Sequence, residues 1–210
     1  MKIYYIYLSL LFSFGILNAQ DKEVGVLLEN TLGWGVEYFK LPTGFAQEMT
    51  VTGVEEAYFA PGWSNPESDE MWSYIFIWKI KAENKLTIQE IEENLEIYFD
   101  GLSGIRKDTI VAPKLPTNAL VLKLSEEKEF QEFSGKVRLF DRFRSQQMMT
   151  LHLKLTQMCC ANNTTQLLVF RFSPKLFGEP VWELPLWKEF KKEIVDQKRI
   201  NFIFSKIKSV

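Results

Sequence analysis

The segment from Phe59 to Glu70 combines residue types that often bind ligands in exposed loops. Trp63 offers a flat apolar ring to a sugar, while Asn65, Glu67 and Asp69 offer oxygens that accept hydrogen bonds from hydroxyl groups. Loops held by a rigid sheet are where binding groups are concentrated. The pattern predicts a ligand-binding loop. A plain connection whose tryptophan folds back on the sheet is one alternative, and a Ca²⁺ site is another. The spacing departs from an EF-hand loop, so no metal site is predicted.

Scattered carboxylates raise the alternative of a small glycosidase-like hydrolase. Such an enzyme needs two carboxyl groups either ~5–5.5 Å or ~6.5–9.5 Å apart, one of them kept protonated by its surroundings. The candidates are Glu55, Glu56, Asp100 and Asp141, which lie near the ends of predicted strands or of the predicted helix. Asp141 shares a predicted apolar face, and burial there would raise its pKa. Pairing with a neighbouring arginine is the competing explanation for Asp141.

Other catalytic signatures are missing from the chain. It holds a single histidine, His152, so a site that needs two histidine ligands is excluded. No zinc-protease, nucleophile-elbow, phosphate-loop or dinucleotide-binding motif occurs, and no cofactor is predicted. His152 alternates with leucines on a predicted strand, and we expect it at the protein surface or at the edge of the sheet.

The two cysteines, Cys159 and Cys160, are adjacent and cannot link distant parts of the fold. Neighbouring Cα atoms lie about 3.8 Å apart, whereas an ordinary disulfide needs about 4.4–6.8 Å. A vicinal disulfide is therefore strained. Free thiols, a vicinal disulfide and pairing with another chain remain as alternatives.

Residues 1–19 have the layout of a secretory signal peptide. Lys2 supplies the positive charge, an apolar run extends to Leu17, and the small residue Ala19 precedes a polar segment, although Leu17 stands where a small residue is usual. We expect a mature chain that starts at Gln20, is soluble, and lies in the periplasm or outside the cell. No later stretch reaches the roughly 20 apolar residues of a membrane helix. Losing Lys2 changes the net charge from −2 to −3, which provides no basic surface for nucleic acid.

Hydrophobic periodicity predicts three strands, a helix, four strands and a final helix. The helix starts at Thr87, which forms a capping box with Glu90, and ends at Gly101 or Gly104. The strand with apolar residues on both faces, Trp72–Ile80, is expected at the centre of the sheet. The last helix is expected to begin near Pro185. The other predicted strands are 34–38, 54–59, 119–124, 136–144, 150–158 and 166–172.

These elements predict an α+β fold: one domain over residues 20–210, with a mostly antiparallel sheet and two helices packed on one face. Of the six tryptophans, Trp34, Trp63 and Trp182 lie beside glycine or proline and are expected to be partly exposed. Exposed aromatic residues favour binding surfaces. The function predicted from the sequence is a non-enzymatic binding or accessory module for a glycan, a peptide or an envelope protein, with the hydrolase as the alternative.

Overall fold

The computed structural model describes residues 33–105, 113–127, 130–159 and 164–184. They form seven strands and one α-helix in the predicted order, followed by a 3₁₀ turn at Pro180–Glu183. The elements are β1 Gly35–Leu41, β2 Gly53–Phe59, β3 Tyr74–Lys81, α1 Ile88–Ser103, β4 Asn118–Glu126, β5 Phe130–Phe140, β6 Met148–Cys159 and β7 Thr165–Ser173.

The strands form a single antiparallel sheet in the order β1-β2-β3-β7-β6-β5-β4. Two meanders, β1 to β3 and β4 to β7, join where β3 pairs with β7. Helix α1 connects β3 to β4, the strand at the far edge of the sheet, and packs near β4 and β5. This arrangement confirms the expected sheet with a helix on one face.

Strand β3 lies inside the sheet, as its two apolar faces predict. Tyr74, Phe76 and Trp78 point to the face that carries α1. Ile75 and Ile77 point to the opposite face. Because both faces of β3 are covered by other side chains, its sequence lacks the polar alternation of a half-exposed strand.

Helix α1 begins with the predicted capping box. The Thr87 hydroxyl accepts the N–H of Glu90 at 3.2 Å, and the Glu90 carboxylate accepts the N–H of Thr87 at 2.8 Å. The helix ends at Gly104, whose φ of 67° is easy for glycine and costly for other residues. The buried side of the helix consists of Ile91, Asn94, Leu95, Tyr98, Phe99 and Ser103.

Two apolar cores lie on the two faces of the sheet. The larger core is between the sheet and α1, and the loop between β1 and β2 adds Ala46, Met49 and Val51 to it. The smaller core, on the opposite face, contains Trp34 and Tyr58 and is flanked by the half-buried Leu184. The segment after β7 therefore returns across the face opposite α1.

Parts of the predicted architecture lie outside the described residues. They are the signal peptide at residues 1–19 and the second helix expected from Pro185. Within the described ranges α1 is the one α-helix. No helix in those ranges combines the length and apolar character needed to cross a membrane.

The predicted strand at 136–144 is wrong at both ends. Strand β5 starts at Phe130 and stops at Phe140. The chain turns after Phe140 because the Asp141 carboxylate accepts the backbone N–H groups of Phe143, Arg144 and Ser145. Aspartate commonly bonds to following backbone N–H groups in this way and so favours turns over strands.

Three expectations about exposure are also wrong. Trp34 and Trp182 are buried, with exposed fractions of 7% and 1%. The Trp182 ring lies over the Arg171 guanidinium, and its indole N–H donates to the carbonyl of Lys175. His152 is 8% exposed because β6 lies between β5 and β7 and the Phe177 ring covers the imidazole. Sequence periodicity does not reveal which loop covers a given strand.

Candidate functional site

The loop between β2 and β3 uses many of its own polar groups to hold its shape. The Glu70 carboxylate accepts the N–H of Gly62 at 2.7 Å. The Asn65 side-chain oxygen accepts the N–H of Glu67 at 3.1 Å, and the Ser68 hydroxyl accepts the N–H of Glu70. Each of these bonds closes a turn. The loop is therefore folded on itself.

The four residues predicted to bind ligand in this loop differ in their exposure and in their contacts. Trp63 is half-buried, and its ring lies 4.7 Å from that of Phe59. Asn65, Glu67 and Asp69 are exposed. A hydrogen bond and ion pair with Lys175, at 2.7 Å, lower the pKa of the Asp69 carboxyl. The described residues contain no cluster of three or more potential metal ligands, here or elsewhere.

The turn between β5 and β6, residues 141–147, presents an exposed aromatic ring. Phe143 is 52% exposed and stands between Arg142 and Arg144, both exposed. Asp141 beneath it is fully buried, and its three hydrogen bonds to backbone N–H groups measure 2.7 to 3.0 Å. Because these bonds fix the backbone, the Arg-Phe-Arg tip is pre-organised for contact.

The two loops meet at one end of the sheet. The rings of Trp72 and Phe143 lie 6.2 Å apart, and the N–H of Trp72 donates to the carbonyl of Trp63 at 2.9 Å. We call Trp63, Trp72, Arg142, Phe143 and Arg144 the loop-end surface. Trp72 thus contacts the exposed ring of Phe143 through its side chain and Trp63 through its backbone, and so joins two segments far apart in sequence.

Both loops contain a strained backbone position. Among the described residues, the non-glycine residues with positive φ are Trp72, at 54°, and Gln146, at 55°. Such residues cost on the order of 1–3 kcal/mol and are concentrated at functional sites. The N–H of Gln146 donates to the carbonyl of Asp141, and the Gln146 side-chain amide donates to the carbonyl of Arg142. The strain is maintained by these contacts.

Arg142 lies beside the C-terminal end of α1. A Cβ atom built on Gly104, the residue that ends the helix, would lie 3.1 Å from Nη1 of Arg142. A cation at this end of a helix is favourable because the last carbonyl groups carry partial negative charge. Together with the exposed Arg144 on the same turn, the loop-end surface offers two guanidinium groups and an aromatic ring. This chemistry suits a ligand that carries carboxylates and an apolar face.

The four carboxylates of the hydrolase alternative have different surroundings. Glu55 and Glu56 are fully buried and, as neighbours on β2, point to opposite faces of the sheet. The Asp100 carboxylate accepts the N–H of Thr117 at 2.6 Å, and the Asp141 carboxylate accepts backbone N–H groups of its own turn, that of Arg144 among them. Glu55 accepts hydrogen bonds from Trp78 and Tyr98 in the larger core.

The prediction for Cys159 and Cys160 falls on residues that the structure describes only in part. Cys159 is the last residue of β6, where its backbone pairs with Gln166. The Cys159 side chain and all of Cys160 lie outside the described residues. Free thiols, a vicinal disulfide and pairing with another chain stay alternative predictions.

Comparison of the chain with protein-family models, with curated proteins and with solved structures found no match.

Sequence reasoning missed the contribution of the turn at 141–147. It placed Phe143 on the apolar face of a strand, together with Val137 and Leu139. The available signal was Asp141 followed by charged and polar residues, which is typical of a turn closed by an aspartate side chain. The contact between Trp72 and Phe143 has no signal in the sequence, because 71 positions separate the two residues.

Proposed function

We propose that this chain is an exported, non-enzymatic binding module whose contact site is the loop-end surface. The observation that carries the proposal is the exposed Phe143, held by the buried Asp141 and in contact with Trp72. An aromatic ring that is half exposed on a pre-organised turn loses little conformational freedom when a partner covers it. The signal-peptide pattern of residues 1–19 supports export.

The ligand class proposed for this surface is a carboxylate-bearing glycan or peptide. Arg142 and Arg144 can donate paired hydrogen bonds to carboxylates, while Phe143 and Trp63 provide apolar contact. Asn65 and Glu67, exposed on the neighbouring loop, add polar groups for hydroxyls or amides. Asp69 contributes less because Lys175 already pairs with it.

A glycosidase-like hydrolase has less support from the geometry. Burial raises the pKa of Glu55 to about 7, which is the property expected of a general acid. However, Glu55 is fully buried under aromatic rings, and the adjacent Glu56 points to the other face of the sheet. Binding requires no such pair, so we place the function at the exposed loops.

The proposal is tested with an array of acidic and neutral glycans and peptides. The probe is the exported chain, with its N-terminus read by intact mass. We expect a specific acidic ligand, and we expect Phe143→Ala to weaken its binding about tenfold or more, as for an interface anchor. Because Phe143 is 52% exposed, the melting temperature of this variant should stay within a few degrees of the parent value.

Tyr38→Ala is the matched control, since Tyr38 is an aromatic residue of similar exposure, 48%, on β1. It should leave binding unchanged. Trp63→Ala is a less clean probe because Trp63 packs on Phe59 and the smaller core, and we expect a loss of stability along with binding. No binding on the array, or binding that Phe143→Ala leaves intact, contradicts the proposal. An intact mass that retains residues 1–19 contradicts export.

A further inference from the structure

Strand β4 carries a row of exposed leucines on the face of the sheet opposite α1. Leu120, Leu122 and Leu124 are 52%, 55% and 65% exposed. They alternate with Ala119 and Val121, which are buried toward α1. Three large apolar side chains in line on one strand form a contiguous apolar strip, unlike single exposed leucines, which need no explanation.

The free edge of β4 is closed to another strand over residues 117–121. On that side the backbone N–H groups of Thr117, Ala119 and Val121 donate to side chains of α1. The acceptors are the carboxylates of Asp100, Glu96 and Glu92, at 2.6 to 2.9 Å. A partner cannot add a strand where these N–H groups are occupied. Over this stretch, the leucine face is the surface of β4 that stays open to a partner.

Strand β5 places opposite charges symmetrically beside the leucines. Glu132, Ser134 and Lys136 lie on the same face of the sheet, and Ser134 stands directly opposite Leu122. Lys136 stands opposite Leu120. At the other end, a bulge at Leu124 brings Glu132 opposite Ser125. The pattern has its midpoint at the Leu122–Ser134 pair, with an acid on one side and a base on the other.

We propose that this face binds a second copy of the same chain through a two-fold axis across the Leu122–Ser134 pair. The axis lies between the two sheets and runs across the strands, along the direction from Leu122 to Ser134. Strand β4 then lies over β4 of the partner, and β5 over its β5, each pair running in opposite directions. Leu120 of one protomer then packs near Leu124 of its partner, and Glu132 faces Lys136. An isologous interface needs a patch that is complementary to itself, and this charge pattern meets that requirement. Two sheets packed face to face are a common way to bury such strands.

The first test is the molar mass of the full exported chain, measured by light scattering and sedimentation over a wide range of concentration. We expect a dimer, and we expect Leu122→Asp to convert it to monomer because the charge lies at the centre of the interface. Tyr38→Asp is the control, since Tyr38 is 48% exposed and lies on β1, at the opposite edge of the sheet from β4. It should remain dimeric. Melting curves establish that each variant is folded.

A charge exchange identifies the two-fold arrangement. Lys136→Glu places two acids in contact across the interface, and Glu132→Lys places two bases in contact. Each should raise the dimer dissociation constant about tenfold or more. The double variant restores an opposite-charge pair and should recover most of the affinity.

Three results would overturn the inference. They are a monomer at every concentration, a dimer that Leu122→Asp does not disrupt, and a double charge exchange that remains as weak as its single variants. A monomer means that another occupant covers the leucines, whether a different protein or another part of this chain. These outcomes are independent of ligand binding by the loop-end surface, because the dimer variants lie on β4 and β5 and not on the loops.

Discussion

At the scale of single residues, Glu55 is a buried carboxyl group whose pKa the fold raises strongly. Its carboxylate accepts the indole N–H of Trp78 at 2.8 Å and the hydroxyl of Tyr98 at 2.9 Å. Burial raises the pKa of Glu55 from 4.5 to about 7, the two hydrogen bonds oppose this increase, and the charge of Glu37 adds to it. The folded protein therefore holds this proton more tightly than the unfolded chain does.

This shift makes stability depend on pH in a defined direction. Between about pH 4.5 and pH 7 the folded state binds more protons at Glu55, so the free energy of unfolding decreases as pH rises. The loss across this window is on the order of 3 kcal/mol, from a shift of roughly two and a half pKa units. Urea denaturation at a series of pH values measures it.

Glu55→Gln should remove this dependence and make the protein more stable than the parent at pH 8. The glutamine oxygen can accept from Trp78, and its amide can donate to the Tyr98 oxygen after the hydroxyl rotates. Glu93→Gln, a change at an exposed helix position, is the control and should follow the parent curve. Parallel curves for Glu55→Gln and the parent would show that Glu55 does not control the dependence.

At the scale of elements, α1 protects part of the edge of the sheet with three acidic side chains. Glu92, Glu96 and Asp100 are spaced four residues apart and therefore form one row along the helix. Their carboxylates accept backbone N–H groups at the free edge of the sheet. Two of these belong to β4, at Val121 and Ala119, and the third belongs to Thr117, just before β4. A helix that packs beside an edge strand in this way prevents strand addition.

Glu96→Ala tests this protection. It leaves the N–H of Ala119 without its carboxylate, and we expect the free energy of unfolding to fall by about 1 kcal/mol in urea denaturation. Helix propensity alone predicts a small gain, since alanine is the better helix former. Glu93→Ala removes an exposed acid that bonds to Gln89 on the same helix, and it should change stability little. A loss of equal size in both variants would contradict the edge contact.

At the scale of the whole molecule, the packing of α1 against the loop between β1 and β2 depends on Gly101. A Cβ atom at this position would lie 2.1 Å from the carbonyl oxygen of Phe45. The two segments are distant in sequence, and their close approach closes the larger core over β1 and β2. Only a residue without a side chain fits at this contact.

We therefore expect Gly101→Ala to lower the free energy of unfolding by about 1–3 kcal/mol, as overpacking does. The helix preference for alanine over glycine, about 1 kcal/mol, acts in the opposite direction. Gly44→Ala, in the loop that α1 contacts, is the control because a Cβ atom added there would have no atom within 4 Å. It should be neutral within about 0.5 kcal/mol. A stabilised Gly101→Ala protein would show that the contact is loose.

The sequence by itself determined much of the architecture through local pattern. The order of strands and helix, the Thr87–Glu90 capping box and the inner position of β3 follow from periodicity and from side chains a few residues apart. These features depend on residues that are close together in the sequence, so the sequence pattern reveals them. The sequence pattern also placed Asn65, Glu67 and Asp69 on a connecting loop, where they are exposed.

Tertiary structure alone decided how these elements meet. The pairing of β3 with β7 and the turn closed by Asp141 bring Trp72 to Phe143, although sequence reasoning placed Phe143 on a strand. The burial of Trp34, His152 and Trp182 depends on which distant segment covers them. The pKa of Glu55 depends in the same way on aromatic rings from β3 and α1. Contacts between residues far apart in sequence leave no periodic trace in either segment, so the chain reveals them only when folded.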